Sequence, residues 1–288
     1  MVIGPGDDLG GVRVGERLVL VGVDAVVEGV HFERGTLAER VARKALNRNL
    51  SDVAAMGAEP VAALVGCVVP AGREDAAGVL EALGAYGAEV GCPVIGGDVS
   101  VAGEQMVVSV TVVAEAGRLA DGWAVVERGT GRAGDVLWVT GELGGSMEQV
   151  KGRVKHLDFE PRLAAGRALV GQATAMMDLS DGLAQDLPRL AKACGCGATV
   201  EVDRLPMGRA CRAARKRSGR GLWEHAVGDG EDYELLFACP PAVTPVVPGG
   251  LRLTAIGELD DGNGVEWMDG GSGEFFEVSG LGWEHGRD

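Results

Sequence analysis

The sequence predicts a mixed α/β protein of two domains. Three observations carry that prediction. At 288 residues the chain has room for two ordinary domains or one large one. Apolar runs of strand length alternate with longer stretches of helical period. A Gly- and Arg-rich stretch near residues 117–134 then precedes a second series of the same kind, so the division is expected near 130, into domains 1–130 and 131–288.

In order, "ERLVLVGVDAVVEGVHF" reads as a strand from Leu18 to Val23 that ends at Asp24. "TLAERVARKALNRNLSDVAAMG" carries apolar residues at 37, 41, 42, 45, 46, 50, 53 and 54, a helical period, and Thr36 with Glu39 three residues on has the pattern of a capping box. "PVAALVGCVVP" reads as a buried strand, "REDAAGVLEALGAYGAEVG" as a second helix, and "PVIGGD" as a short strand closing on glycines and an acid. In "QMVVSVTVVAEA" Ser109 and Thr111 alternate with Val108, Val110 and Val112. One face of that strand is expected to be half exposed or at an interface, and as an edge it would be too long and apolar to leave bare. The second series runs through "GDVLWVTG", "EPRLAAGRALVG", "ATAMMD", "SDGLAQDLPRLAKACG" and "ATVEV". Residues 260–282 read as irregular turns with short strands.

Composition narrows the function. With 27 basic and 42 acidic residues the formal net charge is −15, which argues against nucleic acid and anionic membranes as partners. A polyanionic ligand remains possible where divalent cations stand between it and the carboxylates. The six cysteines, Cys67, Cys92, Cys194, Cys196, Cys211 and Cys239, form no zinc or CxxC spacing, and no apolar stretch reaches transmembrane length. A reduced, cytoplasmic protein is expected.

The acids recur in one kind of place. Asp7 and Asp8 follow "GPG", Asp24 and Asp178 end strands, and Asp98 follows "IGG". Such positions gather carboxylates at a sheet edge, where α/β proteins bind ligands. Asp178, Asp181 and Asp186 fall within nine positions, which suits either a helix cap or a cation. Asp52 is ambiguous: with Lys44 and Arg48 it stands at i, i+4 and i+8, the spacing of a surface salt-bridge row, yet a carboxylate near a helix C-terminus favours a compensating cation. Scattered carboxylates without a His/Cys ligand set suggest several Mg²⁺ ions and not zinc. There is no P-loop and no nucleophile motif, and "GELGGS" at 141–146 reads as a turn. Of His31, His156, His225 and His285, His31 is the best placed to touch a substrate, lying just beyond Asp24.

"GPGDD", "VDAVVEGVHF", "ARKALNRNLSDVAAMGAEP", "VIGGDVS", "MMDLSDGLAQDL" and "GDGEDYELLF" occur in the order and spacing of the thiamine-monophosphate kinase family. The chain resembles that family, in the superfamily of aminoimidazole ribonucleotide synthetase, from residue 3 to about 285. The resemblance implies a two-domain α/β fold whose N-terminal domains pair into a homodimer. It implies ATP and several Mg²⁺ ions in the cleft and phosphorylation of thiamine monophosphate to thiamine diphosphate. By position it makes Asp8, Asp24, Asp52, Asp98, Asp178 and Asp181 metal ligands, with Gly97, Arg128 and Ser180 on ATP. His31, Glu231 and Trp283 would contact the thiamine phosphate. Asp24, Asp52, Asp98 and Arg128 would carry catalysis, while Asp186 would be an ordinary surface helix residue. The chain departs from the family at Gly22 and Val23, where Ser/Thr-Thr is usual, and it starts a few residues before "GPGDD", where the family has a helix. Two rival readings are another ATP-dependent synthetase of the superfamily and a non-catalytic nucleotide-binding regulator.

Overall fold

The computed structural model describes residues 2–73, 75–120 and 122–283; His285 lies outside them. The first half contains β1 (Gly10–Val14), β2 (Arg17–Val27), α1 (Ala38–Ala55), β3 (Glu59–Val69), α2 (Asp75–Glu89), β4 (Val94–Val101) and β5 (Val107–Glu115), then a small hairpin, β6 (Gly117–Leu119) and β7 (Gly122–Ala124). The second contains β8 (Val136–Thr140), a hairpin of β9 (Gln149–Val150) and β10 (Arg153–Val154), α3 (Lys155–Asp158), α4 (Leu163–Leu169), β11 (Ala175–Asp178) and α5 (Leu183–Cys194). It closes with β12 (Gly197–Glu201), α6 (Arg209–Ser218), α7 (Leu222–Gly228), β13 (Leu235–Cys239), β14 (Leu253–Asp260) and β15 (Val265–Met268).

The first sheet has the order β1-β2-β5-β3-β4, antiparallel except for the β3–β4 pair that α2 connects. Its valines alternate as the period-2 pattern requires. Val108, Val110 and Val112 of β5 are fully buried in the core with α1 and α2, while Ser109 and Thr111 face the other way. That second face has no helix over it among the described residues. Val12, Val14, Val21, Val23 and Leu64 on it are exposed; Val99 and Val101 of the edge strand β4 are exposed too, but on the rows of Cys67 and Val69, the side that carries the helices. β5 is the central strand, half exposed on its Ser109 and Thr111 side, and β1 and β4 are the edges.

Two strands run further than the sequence reading. β2 continues through Asp24 to Val27, because Val26 and Val27 still pair with Val108 and Val107. β4 continues through Asp98 to Val101, paired with β3. The expected capping box at α1 does not form: Leu37 is the N-cap, and the Thr36 hydroxyl donates to the Glu33 carbonyl.

The second sheet has the order β11-β13-β8-β14-β12-β15, with α5 packed on its core. α1 also packs against α4 and β11, so Ala54 and Ala55 share a third cluster with Leu169, Met176 and Phe237. Gly166 permits that approach, since a Cβ there would lie 1.9 Å from the Ala54 carbonyl oxygen. α1 is thus wedged between the two sheets, with its last turn beside the end of β11.

Candidate active site

Three segments far apart in sequence bring carboxylates together. Asp8 comes from the turn before β1, Asp52 from the last turns of α1, and Asp178 from the end of β11. One oxygen of each lies within 4.8 Å of the others. Burial, then repulsion from Asp178 and Asp8, pushes Asp52 well above the usual carboxylate range. Asp178 is raised to about 6, chiefly by burial, against a 2.7 Å hydrogen bond from the Ser51 hydroxyl. Asp8 is raised to about 8, again chiefly by burial, although Arg128 donates to its Oδ1 at 2.7 Å. Its Oδ2 is buried without a hydrogen-bond partner. Three converging carboxylates, one with an orphaned buried oxygen, make an all-oxygen donor set suited to a hard divalent cation.

Around this centre the acids are paired with arginines. Arg48 holds Asp24 through Nε and Nη2, both at 3.1 Å, and Arg189 bridges Asp181 and Asp186. Asp186 is fully buried and accepts from the Asp181 backbone N–H at 3.0 Å, so it braces the turn leading into α5. The expectation of a surface residue there is corrected.

A second cavity adjoins the acidic cleft, and Arg48, Ser180 and Asp181 line both. His31, Glu231 and Trp283, singled out in the sequence as substrate contacts, all line this second cavity. His31 is held near pH 4, well below its usual value, by burial and by the charge of Arg48; its Nδ1 accepts from the Val27 N–H at 3.1 Å. The ring is therefore neutral at neutral pH. Trp283 is partly exposed, and its backbone N–H donates to the Asp181 carbonyl at 2.9 Å.

Beneath this cavity lies the fully buried Lys44. Its ammonium donates to the His31 carbonyl at 2.6 Å and lies 2.7 Å from Glu231 Oε1, with His156 Nδ1 2.7 Å away and itself 3.2 Å from Glu231 Oε2. Burial lowers Lys44 to about 8. Burial would raise Glu231, but His156 and Lys44 outweigh it and bring the carboxyl down to about 2. Glu231 sits in a strained turn: it and Tyr233 both have φ of 50°, and the Tyr233 ring stacks on Phe159 at 4.0 Å. The surface salt-bridge row is thereby corrected. Lys44, Arg48 and Asp52 point into one side of the fold, and each serves a different part of it.

The chain matches the AIR synthase related protein family through its N-terminal domain over residues 6–116 and its C-terminal domain over residues 132–242. It is 35% identical to the thiamine-monophosphate kinase of Rhodopirellula baltica over 279 residues, 92% of this chain and 82% of that one. The chain belongs to the thiamine-monophosphate kinase family. The family's protein from Aquifex aeolicus is 32% identical over 301 residues, 97% of this chain and 92% of that one. A solved structure of AaThiL complexed with AMPPCP and TMP superposes with a TM-score of 0.84 at 31% identity, covering 97% of this chain and 91% of that one. The E. coli hydrogenase maturation protein HypE shares the fold alone, with a TM-score of 0.72 at 21% identity, covering 91% of this chain and 86% of that one.

Within this thiamine-monophosphate kinase family member, a single chain does not bring Gly97 and Asp98 to the acidic cleft. Asp24, Val110, Val65 and Gly97 lie on one row across the sheet, which puts Gly97 three strand spacings from Asp24, about 14 Å. Asp98 is exposed on the edge strand, where the Ser100 hydroxyl donates to it at 3.2 Å. At the family departure, a Cβ on Gly22 would lie 2.3 Å from Leu9 Cδ2, so the small residue makes room for a buried leucine. Sequence reasoning missed Lys44, Arg48, His156 and Arg189. Polar side chains on amphipathic helices carried no signal of their own burial; the helical period of 44, 48 and 52, on the same side as Val41 and Ala45, was the available clue.

Proposed function

We propose that the protein transfers the γ-phosphoryl group of ATP to the phosphate of thiamine monophosphate, giving thiamine diphosphate and ADP. The observation that carries this reading is the pair of adjoining cavities with a shared wall, one acidic and one lined by His31, Glu231 and Trp283. The relative solved with AMPPCP and TMP supports it. Asp8, Asp52 and Asp178 are the proposed core of the Mg²⁺ site, with Asp24 and Asp181 at its rim. Bound there, Mg²⁺ would neutralise phosphate charge and hold the nucleotide in line.

The chain's own residues do the rest. Arg128, already directed into the acidic cleft by Asp8, binds nucleotide phosphate oxygens, and Ser180 in the common wall positions them. His31 and Trp283 enclose the acceptor, and Glu231, fixed by Lys44, sets the negative side of its pocket against the thiazolium. An acceptor oxygen bonds to the γ-phosphorus as the bond to the β–γ bridging oxygen breaks, and ADP leaves with the electron pair. A phosphate monoester with a second pKa of about 6 is largely dianionic at neutral pH. No side chain need remove a proton, which accounts for the missing nucleophile motif.

Two further assignments belong to this reading. The uncovered apolar face and the β4 edge fit a homodimer, and Gly97 and Asp98 then act at the cleft of a second copy. Residues 1–130 would form the metal-binding and dimerisation domain, and 131–288 would complete the cleft. A cytoplasmic location is in keeping with six free cysteines, and no helix among the described residues is long and apolar enough to cross a membrane. The deciding experiment measures ADP release with Mg²⁺, with and without thiamine monophosphate. Release that depends on the acceptor and yields thiamine diphosphate is expected; ATP binding without acceptor-dependent turnover would overturn the reading.

A further inference from the structure

Among the described residues, Arg48 is the one Lys or Arg that lines both cavities. It leaves α1 one turn before Asp52 and one turn after Lys44, and its side chain is 15% exposed. Nε and Nη2 bond Asp24 Oδ2, and Nη1 reaches the Ala25 carbonyl at 3.3 Å. Asp24 is itself fixed, its backbone N–H donating to Asn49 Oδ1 at 3.0 Å. A guanidinium has further N–H groups on its two Nη atoms, and these have no partner among the described residues. The planar fork is thus clamped along one edge by β2, in the wall between the two spaces.

Lys44 is spent on the floor of the pocket, fully buried and held by the His31 carbonyl and Glu231. His31 is neutral. Arg128 and Arg189 line the acidic cleft but not the second cavity. Arg48 is therefore the single fixed positive charge among the described residues lining the space proposed for the acceptor.

We propose that Arg48 binds the phosphate of the acceptor and holds it at the boundary of the two cavities, and that Asp24 acts as a positioning residue through it. The inference rests on the acceptor reading above. Charge-assisted hydrogen bonds from a pre-oriented guanidinium favour a dianionic phosphate over a hydroxyl. They also restrain the acceptor oxygen along the line to the γ-phosphorus, an orientation that lowers the barrier without any proton transfer.

The test is calorimetric binding of thiamine monophosphate and of thiamine, in Mg²⁺ without ATP, to the wild-type protein and to Arg48→Met. The wild type is expected to prefer the phosphorylated ligand by about tenfold or more. Arg48→Met is expected to lose that preference, with thiamine affinity and AMPPCP affinity each changed by less than about twofold. Asp24→Asn should lose part of the preference. Where Arg48→Met does not fold, as judged by its melting midpoint, Arg48→Gln carries the same comparison. A folded variant that keeps the full preference would overturn the role of Arg48 while leaving the acceptor reading intact. A wild-type protein that binds neither ligand would overturn the acceptor reading itself.

Discussion

Asp8, Asp52 and Asp178 repel one another in a site that favours their neutral forms. The folded pKa values of Asp178, about 6, and Asp8, about 8, lie above the ordinary 3.8. Stability from these groups is therefore fully present below about pH 4 and is lost as pH rises through 6 to 8. We expect the melting midpoint in EDTA to fall across this window, and saturating Mg²⁺ to remove most of the fall. Asp52→Asn should raise the EDTA midpoint by about 2–4 °C while lowering turnover by orders of magnitude. A lowered midpoint in EDTA would instead mark Asp52 as a structural partner. Lys44 behaves in the opposite way, because its charge is matched. Lys44→Met leaves Glu231 buried without its cation and should cost about 3–5 kcal/mol in urea unfolding, part of which Glu231→Gln restores in the double variant. Additive losses would show that the pair is not coupled.

At the scale of elements, the sequence made the strands and helices visible but not their ends or their buried charges. The alternation in β5 and the apolar stripe of α1 are local, so pattern alone finds them. Asp24 and Asp98 resembled strand ends, yet strand pairing with β5 and β3 carries the backbone past both. Asp8, Asp24, Asp52 and Asp178 were legible as acids at special positions. Which of them meet was not, since Asp8 and Asp178 are 170 positions apart. Lys44 was misread because His156 and Glu231, which make its burial tolerable, come from the other half of the chain. Gly97 shows the same dependence on pairing. A Cβ there would lie 1.9 Å from the Val65 carbonyl oxygen, at a φ of 156°. Gly97→Ala should therefore cost about 2–4 kcal/mol in chemical unfolding, whatever it does to nucleotide binding. An unchanged midpoint would show that β4 can move away from β3.

For the whole molecule, the first sheet covers one face with helices and leaves the other apolar, with Val23 62% and Val14 58% exposed. Such a surface is expected to be covered by a second copy. Sedimentation at micromolar concentration should show dimers, and the melting midpoint should rise with protein concentration. Mixing tests the assignment of Asp98. Asp52→Asn and Asp98→Asn homodimers should both be inactive, but randomly mixed subunits should recover about a quarter of wild-type activity, because each mixed dimer keeps one site with both acids. No recovery despite subunit exchange would place both residues in the same site.

α1 presents Lys44, Arg48 and Asp52 on three successive turns, so a single rigid rod carries groups for the pocket floor, the common wall and the acidic centre. At 1.5 Å per residue the eight-residue interval is about 12 Å, and each four-residue step advances the side chain by little more than one turn. The helix is therefore a ruler. One residue inserted between Arg48 and Asp52 would swing Asp52 by about 100° and bury it against apolar neighbours, whereas the exposed turn at 261–264 lies outside both cavities and has slack for extra length. Among divergent sequences of this fold, length variation should accumulate in such turns and be absent from residues 44–52. An insertion scan scored for folding and turnover should reproduce that boundary within a single protein.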